Sequence, residues 1–166
     1  MIRAVCFDWG DTLMHDFRQL SGPMVDWPRV EAVPGAEQAL SELQPRYQLL
    51  VATNADDSGE ELVLAALARV GLRGFISAVV SSCEAGFGKP DPRFYNAVLG
   101  RAACAAREAV MVGDGYENDV RGAVAAGLRA VWYNPTAASC PAATPVHAAE
   151  VRRLEDLPGV IAALDG

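Results

Sequence analysis

Residues 2–13 read Ile2-Arg3-Ala4-Val5-Cys6-Phe7-Asp8-Trp9-Gly10-Asp11-Thr12-Leu13. The apolar run Ile2–Phe7, broken only by Arg3, has the length of a strand, and two acidic residues follow it closely. A short, nearly continuous apolar run suits a strand covered on both faces, as in a parallel sheet. Four more runs share this character: Tyr47–Thr53, Phe75–Ser81, Ala109–Gly113 and Leu128–Tyr133. Helical patterns separate them. Gly35–Leu43 follows Pro34, Ser58–Val70 stops at Gly71, Pro92–Ala106 has Gly100 as a point of interruption, and Tyr116–Ala126 stops at Gly127. A last helix is expected over about Leu157–Leu164. This alternation predicts an α/β fold, a three-layer, doubly wound parallel sheet. Residues 14–33 and 134–149 stand outside it, the second stretch being rich in Pro, Ala, Ser and Thr and read as loop.

The chain has 166 residues, 51% of them apolar and 21% charged, the composition of one globular domain. Its net charge of −7, with no Lys/Arg run, argues against nucleic acid or an anionic membrane as partner. Cys6, Cys83, Cys104 and Cys140 show no C-x-x-C spacing, so zinc ribbons are excluded and reduced thiols in a cytoplasmic protein are expected. Ile2–Phe7 is too short for a signal peptide or a membrane span.

In open parallel sheets ligands gather beyond the carboxyl ends of the strands. Read at those ends, the sequence places Asp8 and Asp11 after the first strand and Thr53 and Asn54 after the second. Lys89 follows the third, and Asp114 and Asp119 follow the fourth. Carboxylates meeting at one point need a cation between them, and oxygen ligands without His or Cys favour Mg²⁺. A hydroxyl, an amide and a lysine on the same rim can hold phosphate oxygens. A carboxylate can also act as the nucleophile and form an aspartyl-phosphate.

The motifs Phe7-Asp8-Trp9-Gly10-Asp11-Thr12-Leu13, Thr53-Asn54, Gly88-Lys89-Pro90-Asp91-Pro92, and Val112-Gly113-Asp114 with Glu117-Asn118-Asp119 resemble those of the haloacid dehalogenase (HAD) superfamily of hydrolases, most of which are phosphatases. The resemblance covers nearly the whole chain and implies a Rossmann-like core. It implies Asp8 as nucleophile and metal ligand, and the Gly10 backbone oxygen, Asp114 and Asp119 as further Mg²⁺ ligands. Thr53, Asn54 and Lys89 would bind phosphate, Lys89 would also neutralise the nucleophile, and Thr12 would support the loop.

The departure is Gly10. The family's phosphatases carry a second Asp there, which protonates the leaving oxygen and later activates water. Such help is worth roughly 10²–10⁴-fold. Asp11 is the adjacent substitute, which an unusual backbone angle at Gly10 would aim inward, although successive residues near a strand end point in different directions. His15 and Asp16 are the other groups in reach.

Only about 20 residues separate Leu13 from Pro34, too few for the helical cap of many relatives. The expectation is therefore a single core domain over 1–166 with a short insertion at about 14–33 and no separate cap. Its site would be open to a phosphorylated substrate, unless a second copy in a homo-oligomer covers it. Phe17, Met24 and Trp27 are read either as core packing or as a substrate surface. Two functions follow: a Mg²⁺-dependent phosphate monoester hydrolase acting through Asp8, or a phospho-ligand binding or regulatory protein with catalysis attenuated at Gly10. Dehalogenation is set aside because relatives performing it use a cap-borne site.

Overall fold

A computed structural model describes all 166 residues. Six parallel strands form one sheet in the order β3-β2-β1-β4-β5-β6. They are β1 (Ala4–Phe7), β2 (Gln48–Thr53), β3 (Ala78–Ser81), β4 (Ala109–Gly113), β5 (Arg129–Tyr133) and β6 (Ala149–Val151). The helices are α1 (Ala36–Leu43), α2 (Glu60–Arg69), α3 (Ser82–Ala85), α4 (Pro92–Ala102), α5 (Gly122–Ala125) and α6 (Leu157–Asp165). The doubly wound α/β fold expected from the alternation is present, with all five expected strands in it.

Side chains alternate across each strand, and this sorts the core into two layers. Val5, Phe7, Leu49, Val51, Val110, Val112 and Val131 face one cluster, which also holds Ala36, Leu40 and Leu43 of α1, Val63 and Leu67 of α2, and Leu157 and Ile161 of α6. Ala4, Cys6, Leu50, Ala52, Met111 and Ala130 face the other, with Phe94, Tyr95 and Val98 of α4 and Ala123 of α5. Met14, Met24 and Trp27 are buried in the first cluster and Phe17 packs on it, so the 14–33 stretch lies down on the core.

The helix expected over 92–106 ends earlier, at Ala102, where Ala103 turns left-handed at φ 50°, and Gly100 does not interrupt it. Asp91 caps its start, its carboxylate accepting the Arg93 N–H at 2.9 Å, with Pro92 in the first turn. The 116–126 pattern divides into a wide π-helical turn, Tyr116–Arg121, followed by α5. Strand β6 and the short α3 were not expected. The stretch read as loop over 134–149 runs to the start of β6, which pairs Ala149 with Val131 and Val151 with Tyr133 at the sheet edge. No helix is long and apolar enough to cross a membrane, and all four cysteines are free.

The register positions the site. Phe7 is level with Val51 on one side and Val112 on the other. Asp8 therefore leaves β1 beside the ends of β2 and β4. The chain winds from β1 to β3 in one direction, then crosses to β4 on the far side of β1. Asp8 and Asp114 thus flank the point where strand order reverses, where open α/β sheets bind ligands.

Candidate active site

The loop after β1 curls tightly. The Trp9 carbonyl accepts the N–H groups of Thr12, Leu13 and Met14 at 3.3, 2.9 and 3.1 Å. Asp11 sits in this curl at φ 58°, a left-handed conformation. Asp, with its short polar side chain, tolerates it better than most residues. The unusual backbone angle thus belongs to Asp11; Gly10 is not left-handed.

Lys89 lies between two carboxylates. Its Nζ donates to Asp8 Oδ1 at 2.7 Å and to Asp119 Oδ1 at 2.6 Å. The Lys89 and Asp119 side chains are almost fully buried, and that of Asp8 keeps 15% of its surface open to solvent. Burial works against the Lys89 ammonium, but Asp8 and Asp119 more than reverse it and hold the group protonated. The Thr12 hydroxyl, fully buried, lies 3.2 Å from Asp114 Oδ1 and 3.4 Å from Asp8 Oδ2, with one hydrogen to share between them.

Asp119 is delivered by the π-helical turn, a distortion frequent at functional sites. Its backbone N–H donates to the Gly115 carbonyl at 2.6 Å, and its Oδ2 accepts the Gly115 N–H at 2.9 Å. Gly113 makes room: a Cβ there would lie 2.3 Å from the Asp119 carboxylate.

Carboxylate oxygens of Asp8, Asp114 and Asp119 all lie within 4.8 Å of one another. Desolvation, with Asp8 adding its charge, pushes Asp114 up to about 6. Burial likewise raises Asp119, to about 7, with Lys89 pulling back and Asp8 adding to the rise. Three carboxylates against one ammonium leave an excess of two negative charges, the charge of one Mg²⁺. The all-oxygen donor set fits that ion and lacks the imidazole and thiolate that other metals favour.

Thr53 is buried at the end of β2, and its Oγ1 accepts the Ala55 N–H at 3.2 Å, which leaves the hydroxyl hydrogen free to donate. Asn54 is engaged elsewhere. Its amide donates to the Lys89 carbonyl at 2.8 Å and accepts the Lys89 N–H at 2.7 Å, so its side chain fixes the lysine loop.

Two clefts open beside Asp8 and Asp114. One, of about 340 Å³, is lined by Asp8, Gly10, Asp16, Thr53 and Asn54. The other, of about 650 Å³, is lined by Asp11, His15, Asp114 and residues of the loops after β5 and β6. Asp8, Lys89, Thr12, Asp114 and Asp119 are thus brought together. Asp11 faces the second cleft, and its Oδ1 accepts the Asp16 N–H at 2.9 Å. Asp16 lies in the first. Although the residue is exposed, local desolvation raises its carboxyl above the ordinary range, with Asp11 and Asp8 adding to the rise and Arg18 opposing it. The clamp by Asn54 and the bond from Asp16 to Asp11 carried no sequence signal, because each joins residues whose relative placement depends on the folded loops.

The sequence pattern of the haloacid dehalogenase-like hydrolases matches residues 15–127. Phosphoserine phosphatase of Thermus thermophilus is 44% identical over 107 residues, which are 63% of this chain and 41% of that protein. Ribulose-1,5-bisphosphate 5-phosphatase of Halopiger xanaduensis is 38% identical over 105 residues, 63% of this chain and 43% of that protein. The chain spans less than half the length of these two relatives. Among solved structures, an uncharacterized protein from Listeria monocytogenes superposes with a TM-score of 0.87 at 26% identity, over 99% of each chain. The magnesium-bound putative HAD-hydrolase YfnB of Bacillus subtilis shares the fold, with a TM-score of 0.80 at 20% identity over 96% of this chain and 98% of that one. With more than half of its length matched by that sequence pattern, on the expected doubly wound sheet, the chain belongs to the haloacid dehalogenase-like hydrolase family.

Proposed function

We propose that this protein is a Mg²⁺-dependent phosphatase that hydrolyses small phosphate monoesters by way of an aspartyl-phosphate on Asp8. The observation that carries this reading is the placement of Asp8. At the strand-order switch point its carboxylate has the Lys89 ammonium at 2.7 Å, an ammonium it shares with Asp119, and carboxylate oxygens of Asp114 and Asp119 within 4.8 Å. The names of the phosphatase relatives support the substrate class.

An Asp8 carboxylate oxygen attacks phosphorus, and the bond from phosphorus to the ester oxygen breaks. Water then attacks the phosphorus of the aspartyl-phosphate, which releases phosphate and restores Asp8. Lys89 balances charge on Asp8 and on the phosphoryl oxygens, the Thr53 hydroxyl donates to one of those oxygens, and Asn54 holds the Lys89 backbone in place. Positioning and charge neutralisation dominate such transfers. Mg²⁺, held by Asp8, Asp114, Asp119 and the Gly10 carbonyl, would supply the remaining positive charge. A cytoplasmic setting accords with the free cysteines, and a second copy over the open cleft is testable by sedimentation velocity.

The second reading, a phospho-ligand binding protein, is favoured by one observation: residue 10 carries no carboxylate. Phosphate release from p-nitrophenyl phosphate with and without Mg²⁺ separates the two. Mg²⁺-dependent release that disappears in Asp8→Asn supports the phosphatase. Tight binding of phosphate mimics with no release above the Asp8→Asn background supports the binding protein.

A further inference from the structure

We infer that Asp16 is the general acid and base of this site, its carboxylate standing over the position where residue 10 lacks one. The inference rests on the phosphatase reading above and supplies the group that reading leaves open.

The geometry comes from Gly10. A Cβ built there would meet Asp16 Cβ at 3.5 Å, Asp16 Cγ at 3.9 Å and Asp16 Oδ2 at 4.0 Å. The face of Gly10 is therefore met by a side chain from six positions along the chain, its Cβ nearest and its carboxylate about 4 Å away. These are ordinary contact distances, so a Cβ alone would fit, but a full carboxylate at residue 10 would crowd Asp16 with like charge. Asp16 lines the same cleft as Asp8, Gly10 and Thr53. His15 and Asp11 line the neighbouring one.

Asp16 is also held. Its N–H is bound by Asp11 Oδ1 at 2.9 Å, and the residue before it is tied down by the His15 N–H donating to the Glu31 carbonyl at 2.9 Å. The left-handed turn at Asp11 is what allows a side chain so near in sequence to reach back to the Asp16 amide. Asp11 is then a positioning residue, and Asp16 is the one that meets the reacting atoms.

As the bond from phosphorus to the ester oxygen breaks, the Asp16 carboxyl gives its proton to the departing oxygen. The resulting carboxylate takes a proton from the water that attacks the aspartyl-phosphate, and phosphate leaves with Asp16 protonated again. Nothing outside substrate and water is consumed.

Protonation matters most when the leaving group is poor, so the experiment compares alkyl phosphate esters with 2,4-dinitrophenyl phosphate in saturating Mg²⁺. Asp16→Asn, which keeps the shape of the side chain, should lower kcat/KM, which reports the steps through departure of the leaving group, by about 10²-fold or more on the alkyl ester and barely change it on the dinitrophenyl ester. The double variant Gly10→Asp/Asp16→Ala should recover alkyl-ester turnover over Asp16→Ala alone. Equal losses of kcat/KM on both esters in Asp16→Asn, no loss on either, or no gain from Gly10→Asp over Asp16→Ala overturns the role given to Asp16. A wild-type protein without turnover on any ester overturns the phosphatase reading itself, a result distinct from each of these.

Discussion

Gly113→Ala tests whether Asp119 is held to its place by packing. Gly113 ends β4, is not left-handed, and can accept an alanine as far as its backbone is concerned. Its new Cβ would lie 2.3 Å from both Cγ and Oδ2 of Asp119 and 2.6 Å from its Cβ. Ordinary contact needs 3.4 Å or more, so the carboxylate must retreat by about 1 Å. It cannot do so freely, because Lys89 Nζ and the Gly115 N–H hold its two oxygens at 2.6 and 2.9 Å. A misplacement of about 1 Å costs on the order of 10²-fold in rate. Overpacking of this kind costs about 1–3 kcal/mol in stability. For a chain of this size that lowers the thermal midpoint by roughly 2–12 °C. Phosphate release from p-nitrophenyl phosphate and thermal denaturation read the two effects separately. A Gly113→Ala protein whose kcat stays within about twofold of wild type would mean that Asp119 is not held in place by this packing, since a loss of about 10²-fold is expected.

Lys89→Met leaves the buried Asp119 and the adjoining Asp8 without their cation. It should cost about 3–5 kcal/mol in urea denaturation without Mg²⁺ and abolish turnover. Gly122→Ala would press a Cβ to 2.8 Å from Pro90 Cβ and 2.9 Å from Tyr95 Oη. Better helix propensity offers at most about 1 kcal/mol, so the wedge should prevail and lower the thermal midpoint by several degrees. The metal-free protein should lose stability as pH rises. Asp114 and Asp119 are held up at about 6 and about 7, so their contribution is complete below the ordinary carboxylate range and lost as pH climbs through those values. Added Mg²⁺ should therefore raise the midpoint more at pH 8 than at pH 5, with a uniform shift as the contrary result. Asp11→Ala should make turnover more sensitive to the leaving group, in the direction of Asp16→Asn but less strongly; an unchanged sensitivity would remove Asp11 as the support of Asp16.

The strands were readable because residues buried on both faces must be apolar throughout, as Val5, Val51 and Val112 are. β6 was not, since a three-residue edge strand with Glu150 exposed carries no such run. The wide turn at Tyr116–Arg121 was hidden for a different reason. Its residues have helical spacing, and what marks it as π-helical is a backbone bond one residue wider than in an α-helix, from the Gly122 N–H to the Glu117 carbonyl. The gathering of Asp8, Lys89, Asp114 and Asp119 was legible because strand ends in a parallel sheet converge on one rim. The exchange of roles between Asp11 and Asp16 was not. It depends on the left-handed turn at Asp11, a conformation that the sequence Trp9-Gly10-Asp11-Thr12 does not announce, with the glycine one position earlier.

The proposed mechanism requires Asp8 to carry the phosphoryl group. Acid quenching during turnover of a radiolabelled phosphate ester in Mg²⁺, followed by peptide mapping, tests it most directly. A hydroxylamine-sensitive label is expected on the peptide containing Asp8, absent from Asp8→Asn and more abundant in Asp16→Asn, where hydrolysis of the intermediate slows. Turnover that continues in Asp8→Asn, or a label on any other residue, would contradict it.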